Sequence, residues 1–484
     1  MTYFYSYICG THGNDNLHGT HSNDLIFGGG GDDNIHGGDG NDVIFGGAGN
    51  DTIYGGNGRD FIFGGSGNDF IIGGFGLDYI DGGSGNDTIS WDNLSSGLMV
   101  DLKAQRVHFV AGGDERFYSI ENIIGSHGDD TIKGDHQANV LAGNSGNDVI
   151  FGRGGNDVLI GDEGDDQLFG DEGNDTFFGG EGNDQSFGGE GFDFFFGGAG
   201  YDLIDGGSDL DKADYSELGG PITFQVDGTV DKGSFGADRL VSIEEIIGAA
   251  GQLNTIDALI DPAIAPDASI EVDLSADTLR VKNMPQIGEQ NFTIRNFTVV
   301  QGTENGDLIK GSENAEFLFG NGGDDTLEGS AASDDLFGGD GHDSLSSGEG
   351  DDFLDGGLGS DFMVGGSGND VLEGEDGNDV LSGTDAQSAG AGEIDLLSGG
   401  MGRDRFILGD AHRAYYTAAG GDDFAGITDF SLGEDTIVLH GAAQDYSLQA
   451  SNNEVSIVYL NERIGTVQGD VAQLSLNGGS FEFV

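Results

Sequence analysis

From Gly10 to Ser90 a large apolar residue falls at every ninth position: Leu17, then Ile26, Ile35, Ile44, Ile53, Ile62, Ile71, Ile80 and Ile89. The residues around each one keep the same phase. Glycines open the unit, an aspartate takes the sixth position and the apolar residue the eighth, as in Gly46-Gly47-Ala48-Gly49-Asn50-Asp51-Thr52-Ile53-Tyr54. Glycine reaches backbone angles closed to other residues, so the first six positions predict a tight turn with inward-facing carbonyls. The last three predict a short strand, on which alternation sends the single large apolar residue to one face. Two units then close one flattened coil, and equivalent residues of successive coils stack at the strand spacing of about 4.8 Å.

The aspartates carry the chemistry. The first array holds Asp15, Asp24, Asp33, Asp42, Asp51, Asp60, Asp69, Asp78 and Asp87. A second array, Gly125 to Asp214, holds Asp130, Asp148, Asp157, Asp166, Asp175, Asp184, Asp193, Asp202 and Asp211. A third, Gly302 to Ser382, holds Asp307, Asp325, Asp334, Asp343, Asp352, Asp361, Asp370 and Asp379; after an insertion around Ala386–Glu393 it resumes at Asp395 and Asp404. Two carboxylates at the strand spacing repel by roughly 3.5 kcal/mol at an effective dielectric of 20. A cation between successive turns converts that repulsion into ligation. Carboxylate and carbonyl oxygens suit Ca²⁺, which takes six to eight oxygen ligands, whereas Mg²⁺ is smaller and geometrically stricter. All of these aspartates are therefore candidate Ca²⁺ ligands.

The pattern G-G-x-G-x-D-x-(apolar)-x resembles the repeat of RTX proteins, the hemolysin-type calcium-binding group. The resemblance implies an all-β chain with three calcium-binding parallel β-rolls, many bound Ca²⁺ ions and secretion through a type I exporter. Local departures mark weak turns. Asn139 and Glu316 replace the aspartate, Ser186 and Ala213 the apolar residue, and His21-Ser22 and Ala331-Ala332-Ser333 interrupt the glycines.

Residues 91–124 and 215–301 leave the nine-residue phase and show alternating segments such as Leu98–Leu102 and Ile222–Val226, which predict half-buried strands. Ser119-Ile120-Glu121-Asn122-Ile123-Ile124-Gly125 matches Ser242-Ile243-Glu244-Glu245-Ile246-Ile247-Gly248, with a looser copy at Asn296–Gly302. This element is expected to cap a roll, whose end strands would otherwise expose unpaired backbone. The predicted organisation is an N-terminal segment with the first roll at 1–90, a strand-rich spacer at 91–124, the second roll at 125–214, a second spacer at 215–301, the third roll with its insertion at 302–408, and a C-terminal cap at 409–484. That tail, through Tyr415-Tyr416 to Glu482-Phe483-Val484, resembles the C-terminal segment of cyanobacterial calcium-binding RTX proteins, which implies an uncleaved export signal there.

Composition agrees. Gly is 95 of 484 residues, against an average of about 7%. With 87 acidic and 17 basic residues the formal net charge is −70. Such a chain should not collapse without a cation, and it offers no basic surface for nucleic acid or anionic membranes. Cys9 is the only cysteine, so no intrachain disulfide can staple the fold. Met1–Cys9 lacks the basic start of a cleavable signal peptide, and no apolar run is long enough for a transmembrane helix.

Enzyme motifs are missing: there is no H-E-x-x-H, no G-x-S-x-G and no Gly-Lys pair. Histidines such as His12, His36, His127 and His342 are scattered through the repeats. Rows of phenylalanine recur along the rolls: Phe27, Phe45 and Phe63 on one face, Phe151, Phe169 and Phe187 likewise, and Phe178 and Phe196 on the opposite face. They serve either internal packing or a flat surface for a polysaccharide or a neighbouring protein. The expectation is a non-enzymatic, secreted or cell-surface calcium-binding protein. The alternatives are the calcium module of a polysaccharide-active enzyme, as in mannuronan epimerases, or a cytolysin, the latter disfavoured because no pore segment is evident.

Overall fold

The computed structural model describes residues 6–260, 263–284, 288–417, 423–451, 453–469 and 471–484; the first five positions of Met1–Cys9 therefore lie outside the described residues. Among the described residues the regular elements are β-strands and three short 3₁₀ turns. Each nonapeptide forms the turn and strand expected of it. In one sheet of the first array, strands Asp24–Gly30, Val43–Ala48, Phe61–Ser66 and Tyr79–Ser84 run parallel, with Ile26 opposite Ile44, Ile44 opposite Ile62 and Ile62 opposite Ile80. The alternate units build the second sheet from Asn34–Asp39, Thr52–Asn57 and Phe70–Phe75 in the same register. The eighth-position isoleucines from both sheets, Ile26 to Ile89, are completely buried. Burying each contributes about 1.5–3 kcal/mol. The turns need glycine where φ is positive, for example Gly47 at 121° and Gly49 at 122°.

The chain divides into two compact units, residues 1–220 with 228–250, and residues 221–227 with 251–484. In the first unit the Ser119–Gly125 element does not cap the start of a roll, contrary to the expectation from the sequence, and the spacer around it joins the two arrays. The spacer's strands Leu98–Asp101, Arg106–Phe109 and Asp114–Tyr118 form an antiparallel meander whose outer members pair in parallel with Thr131–Lys133 and Tyr79–Ser84. In the other sheet Asn122–Ile124 lies between Thr88–Ser90 and Val140–Ser145. The spacer thus splices the first array to the second with both sheets continuous, because a strand paired on both edges leaves no backbone to cap. The matching element of the second spacer, Glu245–Ile247, pairs with Lys212–Asp214.

In the second unit Phe297–Gln301 lies between Asn254–Asp257 and Phe317–Gly322, and the third array continues from there. After the insertion the sheets resume at Ile394–Ser398 and Arg405–Ile407. The tail prolongs both. Phe424–Phe430 joins one sheet and is followed by the meander Tyr446–Ser451, Glu454–Tyr459 and Glu462–Gly469. Thr436–Leu439 joins the other sheet, and Phe481–Phe483 forms its last strand. Phe406, Tyr416, Phe430, Ile437, Leu439 and Ile457 make this end a packed core.

Candidate metal sites along the rolls

A regular turn shows how the sequence builds a site. The Asp33 amide donates to Asp51 Oδ1 at 2.8 Å, and the Asp51 amide donates to Asp69 Oδ1 at 2.8 Å. One carboxylate oxygen therefore ties each coil to the one before. The other oxygen, Oδ2, is buried and receives no hydrogen bond. This holds at Asp33, Asp42, Asp51, Asp60, Asp69, Asp78 and Asp87; at Asp148, Asp157, Asp166, Asp175, Asp184, Asp193 and Asp211; and at Asp325, Asp334, Asp343, Asp352, Asp361, Asp370, Asp379 and Asp404. Unpaired buried polar atoms are rare in folded proteins, and a whole ladder of them points to a missing partner.

The space beside these oxygens fits a hard cation. A methyl group added at Gly46 would run into both Asp51 Oδ2 and the Gly64 carbonyl oxygen of the next coil; Gly28 has the same relation to Asp33 and Gly46, and Gly64 to Asp69 and Gly82. Each of these three turns thus brings a carboxylate oxygen and a backbone carbonyl of the next coil to one small cradle. No group of three or more His, Cys, Asp or Glu side chains converges among the described residues, so a cation in such a turn would draw on backbone oxygens beside the carboxylate. An all-oxygen set of this kind matches Ca²⁺.

Electrostatics supplies the need. Burial pushes the Asp42, Asp60 and Asp148 carboxyls up to about 7 and Asp51 up to about 6, with the carboxylates of neighbouring coils adding to the effect. Asp325, Asp334 and Asp370 rise to about 8, again mainly through burial. A ladder of ionised groups held this way at neutral pH requires a cation.

The sequence offered every repeat aspartate as a ligand and marked only the irregular turns, that of Asp24 among them, as weak; the structure divides them further. At six positions a protein donor already occupies the oxygen left open elsewhere. Thr11 does so for Asp15, Thr20 for Asp24, Ser126 for Asp130 and Thr303 for Asp307, each through its backbone amide, with the hydroxyl also bonded to the same carboxylate. The Lys232 ammonium bonds Asp202 Oδ2 at 2.8 Å, and the Tyr416 hydroxyl donates to Asp395 Oδ2. The sequence carries a signal for four of these: Ser or Thr stands four residues before the aspartate, where regular units have the second glycine.

The irregular turns also divide. Asn139 bonds the Asp135 amide and the Glu121 carbonyl and has no ionised oxygen to offer. Glu316 keeps Oε2 buried and free, as the aspartates do. Asp334 keeps its free Oδ2 despite the alanines, because Ser330 and Ala332 adopt φ of 100° and 69° and preserve the turn. Reasoning from the repeat missed Glu115, which stands outside the nine-residue phase. It is 4% exposed, its Oε1 has no hydrogen-bond partner, and burial beside Asp78 and Asp60 pushes its carboxyl up to about 9.

The phenylalanine rows stack face to face along the strands. Ring centroids are 5.0 and 4.9 Å apart in Phe27–Phe45–Phe63, 4.9 and 5.1 Å in Phe151–Phe169–Phe187, and 4.4 Å in Phe178–Phe196. Phe178 is 36% exposed, and the other rings are half-buried.

Coils of this register, with free carboxylate oxygens at their turns, define a calcium-type parallel β-roll. The chain belongs to the RTX calcium-binding nonapeptide repeat family: its family model, four repeats long, matches residues 10–44, 28–62, 36–71, 54–89, 118–150, 151–186, 187–213, 299–327, 328–363 and 355–385, more than half of the chain. Repeats of this family bind calcium. None of the curated proteins compared with the chain matches it. Among solved structures, the extracellular lipase LipA from Serratia marcescens is similar at 17% identity and a TM-score of 0.11, over 75% of this chain. The chain corresponds to 40% of that lipase's length. Among the described residues no helix is long and apolar enough to cross a membrane.

Proposed function

We propose that this protein is a secreted or cell-surface, non-enzymatic calcium-binding RTX protein whose rolls fold when Ca²⁺ enters their turns. The observation that carries this reading is the ladder of buried, unpartnered Asp Oδ2 atoms, with a carbonyl of the next coil beside the oxygen in turns such as those of Asp33, Asp51, Asp69, Asp157 and Asp325. Bound Ca²⁺ supplies the positive charge that the ladder lacks. The chain's own residues supply an oxygen from each turn whose Oδ2 is free, the amide-to-Oδ1 bonds that hold successive coils in register, and the isoleucine and leucine core that excludes water. The repeat aspartates with free oxygens are the proposed ligands, and the six with internal partners are proposed to remain metal-free.

The wider role is structural or adhesive. Its support is the stacked, half-exposed phenylalanine rows, which suit a polysaccharide or a neighbouring protein. Export through a type I system is read from the 409–484 tail and its resemblance to secreted cyanobacterial RTX proteins. The test presents calcium-loaded protein to alginate and glycan panels, scoring binding and product formation separately. Binding without turnover is the expected result. Epimerised or cleaved alginate overturns the non-enzymatic reading and favours a polysaccharide-active module.

A further inference from the structure

In the first unit, the meander after the first array and the 228–250 segment after the second share matching parts with opposite charge arrangements. Glu115 and Asp238 occupy equivalent positions, each four residues before the shared Ser-Ile-Glu segment. Glu115 reaches the turn of Asp78, where its Oε1 and Asp78 Oδ2 are both buried without a partner and both face Gly73. Asp238 reaches the turn of Asp202, whose amide bonds Asp238 Oδ1 at 3.4 Å. There the arrangement changes.

Lys232, whose side chain is fully buried, places its ammonium within 2.8 Å of Asp202 Oδ2 and 2.7 Å of the Gly198 carbonyl oxygen, and pairs with Asp238 as well. Two carboxylates and a backbone carbonyl are the oxygen types offered to a cation elsewhere in the roll. The Tyr215 ring lies against Gly197, where a regular turn would have the next coil's glycine carbonyl, and its hydroxyl donates to Asp238 Oδ2 at 2.8 Å. An ammonium carries three donors, so these three oxygens complete its shell. The equivalent position in the first spacer is Phe109, which has no charge to contribute.

We propose that Lys232 is a built-in cation that takes the place of a metal ion at the end of the second array, while the equivalent place at the end of the first, framed by Glu115 and Asp78, is a Ca²⁺ site with an additional carboxylate ligand. The inference rests on the calcium-binding reading above. It makes the Asp202 turn metal-independent, so this end of the array keeps its counter-charge in calcium-poor surroundings. The Asp78 turn, with two free carboxylates, holds its ion more tightly than a regular turn does.

Counting bound ions by native mass spectrometry of the full chain in calcium tests both halves. Lys232→Met leaves Asp202 and Asp238 without a counter-ion and should bind one Ca²⁺ more than the parent. Glu115→Gln should bind one fewer, or lose one at the lowest calcium concentration that still saturates the parent. Lys232→Arg keeps the charge and should bind the parent number. If Lys232→Met does not fold, Lys232→Met/Asp238→Asn takes its place, since it leaves the single carboxylate of a regular turn. One ion more then supports the inference, and the parent count or failure to fold overturns it. Unchanged counts in Lys232→Met and Glu115→Gln overturn the inference alone, whereas a parent that binds no Ca²⁺ overturns the reading beneath it.

Discussion

Asp51→Asn separates metal ligation from packing. The amide has the shape of the carboxylate and can still accept from the Asp33 amide, a bond of 2.8 Å in the native turn. It removes the charge, and it puts an NH₂ group where Oδ2 faces Gly46 and the Gly64 carbonyl. Weakening a charge-assisted hydrogen bond to a neutral one costs about 1 kcal/mol. Removing one partner of a buried ionic contact costs about 3–5 kcal/mol. At about 1.4 kcal/mol per tenfold, the calcium site of this turn should weaken by at least ~100-fold. Coils of a roll couple to their nearest neighbours, so the loss should spread to the adjoining coils rather than to the whole chain. Asp24→Asn is the control. Asp24 is equally buried, but its oxygens are already taken by the Thr20 amide and hydroxyl. Its replacement should cost about 1 kcal/mol and leave the calcium response within about twofold. Hydrogen exchange of peptides from 28–69, followed through a calcium titration, reads both variants. Equal half-points for Asp51→Asn and Asp24→Asn would refute the division of the turns into metal-binding and internally satisfied.

The raised carboxyls fix the sign of the pH dependence. Asp42, Asp60 and Asp148 titrate near 7 in the roll and Asp51 near 6, against about 3.9 in an unfolded chain. The metal-free roll therefore binds protons better than the unfolded chain and should become more compact as pH falls from about 8 to about 5. Protons and Ca²⁺ compete for the same oxygens, so the calcium half-point should rise over that interval; a half-point independent of pH contradicts this. Gly46 has no positive φ, so alanine suits its own dihedrals, but the methyl would collide with Asp51 Oδ2 and with the Gly64 carbonyl oxygen; Gly46→Ala should push the two coils apart and lose one ion by mass spectrometry. The tail is expected both to template the third array and to direct export. Deleting residues 409–484 should abolish secretion and raise the calcium needed by that array, whereas deleting Phe481–Val484 should impair secretion with little change in calcium response. A long deletion that is still secreted and titrates like the full chain removes both roles.

The nine-residue phase made the rolls legible, because one residue type at one position does one job in every coil. Asp51 ties coils together and Ile53 fills the core for the same reason as Asp60 and Ile62. What the repeat could not reveal comes from residues outside it. Glu115, Lys232 and Asp238 reach the turns from antiparallel meanders, and their placement depends on tertiary pairing rather than on spacing along the chain. The splice at Asn122–Ile124 was hidden for a related reason. A strand that starts a roll and a strand that continues one have the same apolar pattern, and only the pairing of both edges tells them apart. Four internally satisfied turns were legible in principle through Thr11, Thr20, Ser126 and Thr303, whose amide, four residues before the aspartate, takes the oxygen a metal would use; Ser330 at the same spacing has φ of 100° and leaves Asp334 Oδ2 free, so the hydroxyl alone does not mark such a turn.

Calcium-driven folding of the whole chain is the central claim, and one titration tests it most directly. Small-angle scattering and circular dichroism of the full-length protein should be followed from chelator to several millimolar Ca²⁺, with Mg²⁺ as the control. The unfolded, strongly anionic chain should be expanded and lack β signal in chelator. It should contract and gain β structure cooperatively at about 10⁻⁴–10⁻³ M Ca²⁺, the range of extracellular calcium modules, and should not respond to the same concentration of Mg²⁺. A chelated chain that is already compact and β-rich at neutral pH, or one that Mg²⁺ folds equally well, contradicts a fold completed by calcium at the aspartate ladder.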